Sequence, residues 1–253
     1  MPDFIIIGAA KGGTTSLFNY LIQHPQIVGP YRKEVHYFDH HFHKGLDWYK
    51  HHFPTISKLK KTHQHAITGE ASPYYLSHPL AAHRIKELLP HVKLIVLLRN
   101  PIDRALSNYQ HIKRLKLEQE PFEKAIKLEA ARINGEVEKI IQNPNYYSFT
   151  HKHFSYLSRG IYHKELEVWF KEFPASQICI FNSEQFYSDP ASVLEKTLNF
   201  LEIEQWSPPS FKKFNSGGDY EPISDELRSE LVKFYEPHNK KLFELIHQQY
   251  DWK

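Results

Sequence analysis

The stretch FIIIGAAKGGTTSL at residues 4–17 restricts the fold more than any other part of this 253-residue chain. Four apolar residues stop at Gly8, a glycine-rich turn follows, and Thr14 or Thr15 opens a run with Leu17, Phe18, Leu21 and Ile22 at helical spacing. With Pro25 closing that run, the pattern predicts a strand over 4–7 and a helix to about His24. A short, continuously apolar strand is one covered on both faces, as in a parallel sheet. A helix opening at such a turn aims backbone N–H groups and its positive dipole end at an anion.

The turn approaches the P-loop pattern G-x-x-x-x-G-K-[ST] without spelling it. Gly8, Gly13 and Thr15 keep the spacing, but Thr14 takes the lysine position and Lys11 comes three residues early. Gly12 and Gly13 permit close backbone approach, and Thr14, Thr15 and Ser16 add hydroxyl donors.

A second unit of the same kind runs through VKLIVLL at 92–98, breaks at Arg99-Asn100-Pro101 and continues as a helix from about Ile102 through Lys116. Pro101 suits its first turn. A third strand fits 177–181 (QICIF), with helices over roughly 160–172 and 189–201 on either side. Strands alternating with helices predict an α/β fold: a P-loop-like parallel sheet flanked by helices on both faces, as one domain over 1–253. Residues 26–78 read as loops and short helices, 207–222 as an exposed loop, and 224–249 as a helix interrupted at Pro237.

P-loop hydrolases hold Mg²⁺ partly through an acidic residue near the end of a neighbouring strand. Here Arg99 and Asn100 occupy that place, and Ser107 lies two helical turns farther on. A cation there suits a second phosphate better than a metal, so the two units together describe a nucleotide phosphorylated at two places.

GAAKGGTTSL resembles the 5′-phosphosulfate loop, and LLRNPIDRALSNY the 3′-phosphate motif, of the sulfotransferases that use 3′-phosphoadenosine-5′-phosphosulfate (PAPS). The resemblance continues in order through RKEVHYFD (32–39), GLDWYKHHFP (45–54), GEASPYYL (69–76), SRGIYHKELEVWF (158–170) and EPHNKKLFELIHQQYDW (236–252). It is closest to the heparan sulfate 3-O- and N-sulfotransferase branch and its bacterial relatives.

The resemblance implies that Lys11, Gly12, Gly13, Thr14, Thr15 and Ser16 hold the 5′-phosphosulfate, and that Arg99 and Ser107 hold the 3′-phosphate. Lys11 would neutralise charge on the leaving phosphate, and PAP would be the product. Glu34 matches the general base, with His36 the alternative; Asp39 and Glu70 match positions bordering the acceptor site. The acceptor would be a hydroxyl or amine of a glycan, glycolipid or small alcohol, and no metal would be required. Lys212 and Lys213 lie where the family closes a loop over the nucleotide. Two departures stand out: Ala71 replaces a lysine of the heparan-modifying relatives, and the 207–222 loop is shorter and lacks their disulfide cysteines. The rivals are a P-loop kinase using ATP and a non-catalytic nucleotide-binding module; the presence of both Lys11 and Glu34 counts against the latter.

The net charge of +3 arises from 32 basic and 29 acidic residues spread along the chain, so anion attraction must be local and no nucleic-acid partner is expected. Cys179 is the single cysteine and reads as a buried strand thiol. His40, His41, His43, His51 and His52 lack the spacing or cysteine partners of a zinc site and read as loop residues. Tyr146, Tyr147, Phe149, Phe154 and Tyr156 read mostly as packed. No stretch reaches the roughly 18 apolar residues of a span, and the start MPDFIII lacks a signal peptide's basic region. These features predict no membrane insertion and a cytoplasmic location, and they set no oligomeric state.

Overall fold

The computed structural model describes residues 1–212, 214 and 222–252. In chain order the elements are β1 (Phe4–Gly8), α1 (Thr14–Leu21), α2 (Gly45–Lys50), α3 (Ile56–Thr62), β2 (Gly69–Ala71), α4 (Ala81–Leu88), β3 (Lys93–Leu98), α5 (Pro101–Arg114), α6 (Phe122–Ile133) and α7 (Glu136–Gln142). They continue with α8 (Phe149–Phe154), α9 (Tyr162–Glu172), β4 (Ile178–Asn182), α10 (Ser183–Ser188), α11 (Pro190–Leu201) and α12 (Asp225–Ile246). The strands form one parallel sheet in the order β2-β1-β3-β4.

Successive strand side chains point to opposite faces, so each central strand feeds two cores. Ile5, Ile7, Leu94, Val96 and Leu98 face α4, α9 and the end of α12, where Trp169, Phe173, Leu242 and Ile246 pack. Phe4, Ile6, Ile95 and Leu97 face α1 and α11 through Leu17, Leu21, Val193 and Leu198. Each such fully buried aliphatic side chain contributes roughly 1.5–3 kcal/mol, which is why an unbroken apolar run is stable here and nowhere on the surface. A third core joins α5, α6 and the first half of α12 around Tyr109, Phe122, Leu231 and Tyr235.

Because β1 and β3 are hydrogen-bonded neighbours running the same way, with Ile5 opposite Leu94, the glycine turn after β1 and the break after β3 emerge side by side. That juxtaposition creates the site.

Three expectations need correction. The strand β2 falls within 26–78, where only loops and short helices were expected; its three residues carry no apolar pattern. It pairs with β1, and Gly69 leaves room for the Phe4 ring, 2.4 Å from where a Cβ would lie. Helix α12 is continuous through Pro237, whose lost acceptor partner, the Lys233 carbonyl, belongs to an exposed residue and can meet water. Of the five aromatics between 146 and 156, Tyr156 is fully buried, whereas Tyr147 and Phe149 are exposed. Cys179 lies on β4 as expected but is half-buried rather than buried, and its surroundings push its thiol up to about 12.

Candidate active site

The turn after β1 passes β3 at a distance that excludes side chains. A Cβ on Gly12 would lie 2.5 Å from the Leu97 carbonyl oxygen, so the loop can lie there only as glycine. Gly13 takes φ +92 and caps α1, and its carbonyl accepts the N–H groups of Ser16 and Leu17. Lys11 is also left-handed at φ +74, as are Glu34 at +56 and His36 at +54. Half of the left-handed non-glycine residues among those described therefore sit at one place, the pattern of backbone strain gathered at a functional site.

Lys11, Gly13, Thr14, Thr15, Ser16, Glu34, His36, Arg99 and Ser107 all line a single cavity of about 700 Å³. Gly12 lies behind this wall, its carbonyl accepting a hydrogen bond from Ser183 Oγ at 2.8 Å. Arg99 donates to the Lys11 carbonyl at 3.3 Å, which ties the two loops together. The glycine that only a close backbone requires, the opening turn of α1 and the cations Lys11 and Arg99 in one cavity fit a nucleotide carrying anionic groups at two positions.

The charges are tuned by their surroundings. Burial, then the nearby Arg114, Arg99 and Arg104, pulls the Lys11 ammonium down to about 8. Burial pushes Glu34 up, but a hydrogen bond from His36 and the charge of Lys33 overcome it and hold the carboxyl below its ordinary 4.5. Lys33 lies 3.4 Å from Glu34 and donates to Thr15 Oγ1 at 2.7 Å, linking the carboxylate to the loop. His36 sits 3.4 Å from Glu34 and 2.6 Å from Asp39; burial pulls the imidazole down, but these two carboxylates raise it to about 9. The two carboxylates thus favour the protonated form of His36 at neutral pH.

Asp39 does not line the cavity. Its carboxylate is buried, accepts from His36 and from the His40 N–H at 2.7 Å, and is held at about 2 by His36 against the opposing effect of burial. Glu70 is likewise enclosed, accepting from Tyr49 at 2.5 Å and Ser72 at 2.8 Å, and burial raises it to about 7. Ala71 packs in the sheet core with Ile6 and Leu97. The backbone carbonyl of Lys212 accepts from Tyr20 at 2.8 Å, while Lys213 lies outside the described residues.

His36, Asp39 and His40 place three potential ligand atoms within 4.8 Å of one another. Lys152 occupies this corner from another side, 2.8 Å from His40 Nε2, and burial holds His40 neutral, at about 3. Histidines 41, 43, 51 and 52 do not join that group.

Several cavity residues were not singled out in the sequence. Lys152 and Arg159 reach it from α8 and the turn before α9, and Phe186, Tyr187, Phe211 and Phe214 supply an aromatic wall beside Tyr20. Arg159 lies inside the matched stretch SRGIYHKELEVWF, the one signal that marked it; nothing in the spacing of Lys152 did.

The sequence pattern of the sulfotransferase domain family matches residues 1–235. The chain is 29% identical, over its whole length, to the membrane-associated sulfotransferase kil1 of Dictyostelium discoideum, and 29% identical, again over its whole length, to the heparan sulfate glucosamine 3-O-sulfotransferase 3A1 of Mus musculus. It spans 66% and 64% of those proteins, less than two thirds of either. Among solved structures, a sulfotransferase from Alicyclobacillus acidocaldarius superposes with a TM-score of 0.74 at 28% identity, covering 99% of this chain and 97% of that one.

The cytoplasmic location expected from the sequence is overturned by the Dictyostelium relative, which is membrane-associated. No described helix is long and apolar enough to cross a membrane, but association does not require a span, because surfaces and anchors also bind bilayers.

Proposed function

Because the chain belongs to the sulfotransferase domain family, we propose that it moves a sulfuryl group from PAPS to a hydroxyl or amine, with a glycan the first acceptor class to test. The observation that carries this is the convergence of two cation-bearing loops, around Lys11 and Arg99, with the carboxylate of Glu34 in one cavity. PAPS supplies an activated sulfuryl group whose bond to the 5′-phosphate breaks as the acceptor attacks in line.

In this mechanism the α1 N-terminus, Thr14, Thr15 and Ser16 hold the 5′-phosphosulfate, and Arg99 with Ser107 holds the 3′-phosphate. Lys11 neutralises charge gathering on the leaving oxygen. Glu34 accepts the acceptor's proton. A carboxylate held below 4.5 is a weak base toward a free alcohol, so the proton moves as the new S–O bond forms and the acceptor oxygen becomes strongly acidic. His36 and Lys33 keep Glu34 ionised and ready. Metal-free transfer and the carbohydrate acceptor belong to this proposal.

The test is a thermal-shift comparison of PAP with ATP–Mg²⁺. Stabilisation by PAP, absent with ATP–Mg²⁺, is expected; stabilisation by ATP–Mg²⁺ alone would make the chain a kinase.

A further inference from the structure

The first turn of α10, directly after β4, grips both loops at once. Ser183 Oγ holds the Gly12 carbonyl, and one residue later Glu184 Oε1 accepts the Asn100 backbone N–H at 2.9 Å. On the other side, Tyr162 donates its hydroxyl to the Arg99 carbonyl at 2.9 Å. The Arg99 carbonyl and the Asn100 N–H are the two ends of a single peptide unit, the one by which the chain leaves β3. Its plane is therefore pinned at both ends by side chains from different elements.

Trp252 supports both pins. Its indole N–H donates to Glu184 Oε2 at 3.0 Å, an oxygen that also accepts from Asn182 at 2.8 Å, and its ring lies 5.9 Å from that of Tyr162. Tyr162, Asn182, Glu184 and Trp252 do not line the cavity; Arg99, which they hold, does.

We propose that Glu184 and Trp252 are positioning residues for recognition of the 3′-phosphate: by fixing the Arg99–Asn100 peptide they set where the Arg99 guanidinium points. The inference rests on Arg99 holding that phosphate. A guanidinium recognises phosphate through a planar, directional fork, so a rotated peptide at its root costs it alignment while leaving its charge in place.

Calorimetry with PAP and with adenosine 5′-monophosphate, which lacks the 3′-phosphate, separates the outcomes. Trp252→Phe keeps an aromatic ring against Tyr162 while removing the indole N–H and part of the ring, whereas Glu184→Ala removes the acceptor itself. We expect PAP binding to weaken about fivefold in the first and about tenfold or more in the second, with the monophosphate unchanged within about twofold. Ser183→Ala, acting on the glycine loop, should weaken both nucleotides together. If the two nucleotides weaken in parallel in Trp252→Phe and Glu184→Ala, the residues merely support the fold and the inference fails. If the unaltered protein binds both nucleotides equally, Arg99 is not the 3′-phosphate residue, and the functional reading falls with it.

Discussion

At the scale of single residues, what matters is which side chains share a charge environment. Glu34 is ionised because Lys33 and His36 flank it, and His36 is protonated because Asp39 and Glu34 flank it. Glu34→Gln should retain PAP affinity while kcat falls about a hundredfold or more, measured by labelled-sulfate transfer. Near-normal turnover would remove Glu34 from the chemistry. The pH profile follows from the same neighbours. Glu34 loses its proton below 4.5 and stays a carboxylate as pH rises, so the acid limb of kcat/KM lies below that value. Lys11 acts as a cation and loses its proton near 8, so kcat/KM should fall as pH rises through about 8. Bound anion favours the charged ammonium, and the corresponding limb of kcat should move to higher pH.

At the scale of elements, the glycine turn and β3 are fitted to one another. Gly12→Ala would place a methyl 2.5 Å from the Leu97 carbonyl, against a strand that cannot yield without disturbing its pairing with β1 and β4. It should lower stability by about 1–3 kcal/mol and weaken PAP binding, read by denaturant unfolding and by calorimetry. Unchanged unfolding would mean the loop can move away from the strand. Both strand–turn–helix units were legible in FIIIGAAKGGTTSL and VKLIVLLRNP because burial on two faces demands unbroken apolar runs. Strand β2 was not, since GEA carries no apolar run and gains its place from partners distant in the chain: its pairing with β1, the Phe4 ring beside Gly69 and the hydrogen bonds to Glu70. The break expected at Pro237 did not occur, because that face of α12 is open to water while Leu231, Tyr235, Leu242 and Ile246 hold the helix on either side.

For the whole molecule, a net charge of only +3 coexists with a cavity lined by Lys11, Arg99, Lys152 and Arg159. Attraction to nucleotide is local, so raising ionic strength from about 0.05 to about 0.5 M should weaken PAP several-fold in calorimetry while the melting temperature of the free protein shifts little. A salt-independent affinity would assign binding to the aromatic wall instead. The sequence by itself determined the parallel α/β sheet and the two turns, one carrying glycines and Lys11 and the other Arg99, that meet beside it, because apolar runs, glycine and strand-end cations are local requirements. The tertiary structure alone decided the rest. It moved Asp39 from the cavity wall to a position behind His36, favoured the protonated form of His36, brought Lys152 and Arg159 into the cavity, and joined Glu184, and through it Trp252, to the Arg99–Asn100 peptide. Charge state and aim depend on neighbours distant in the chain, and no spacing along a sequence records which of them will meet.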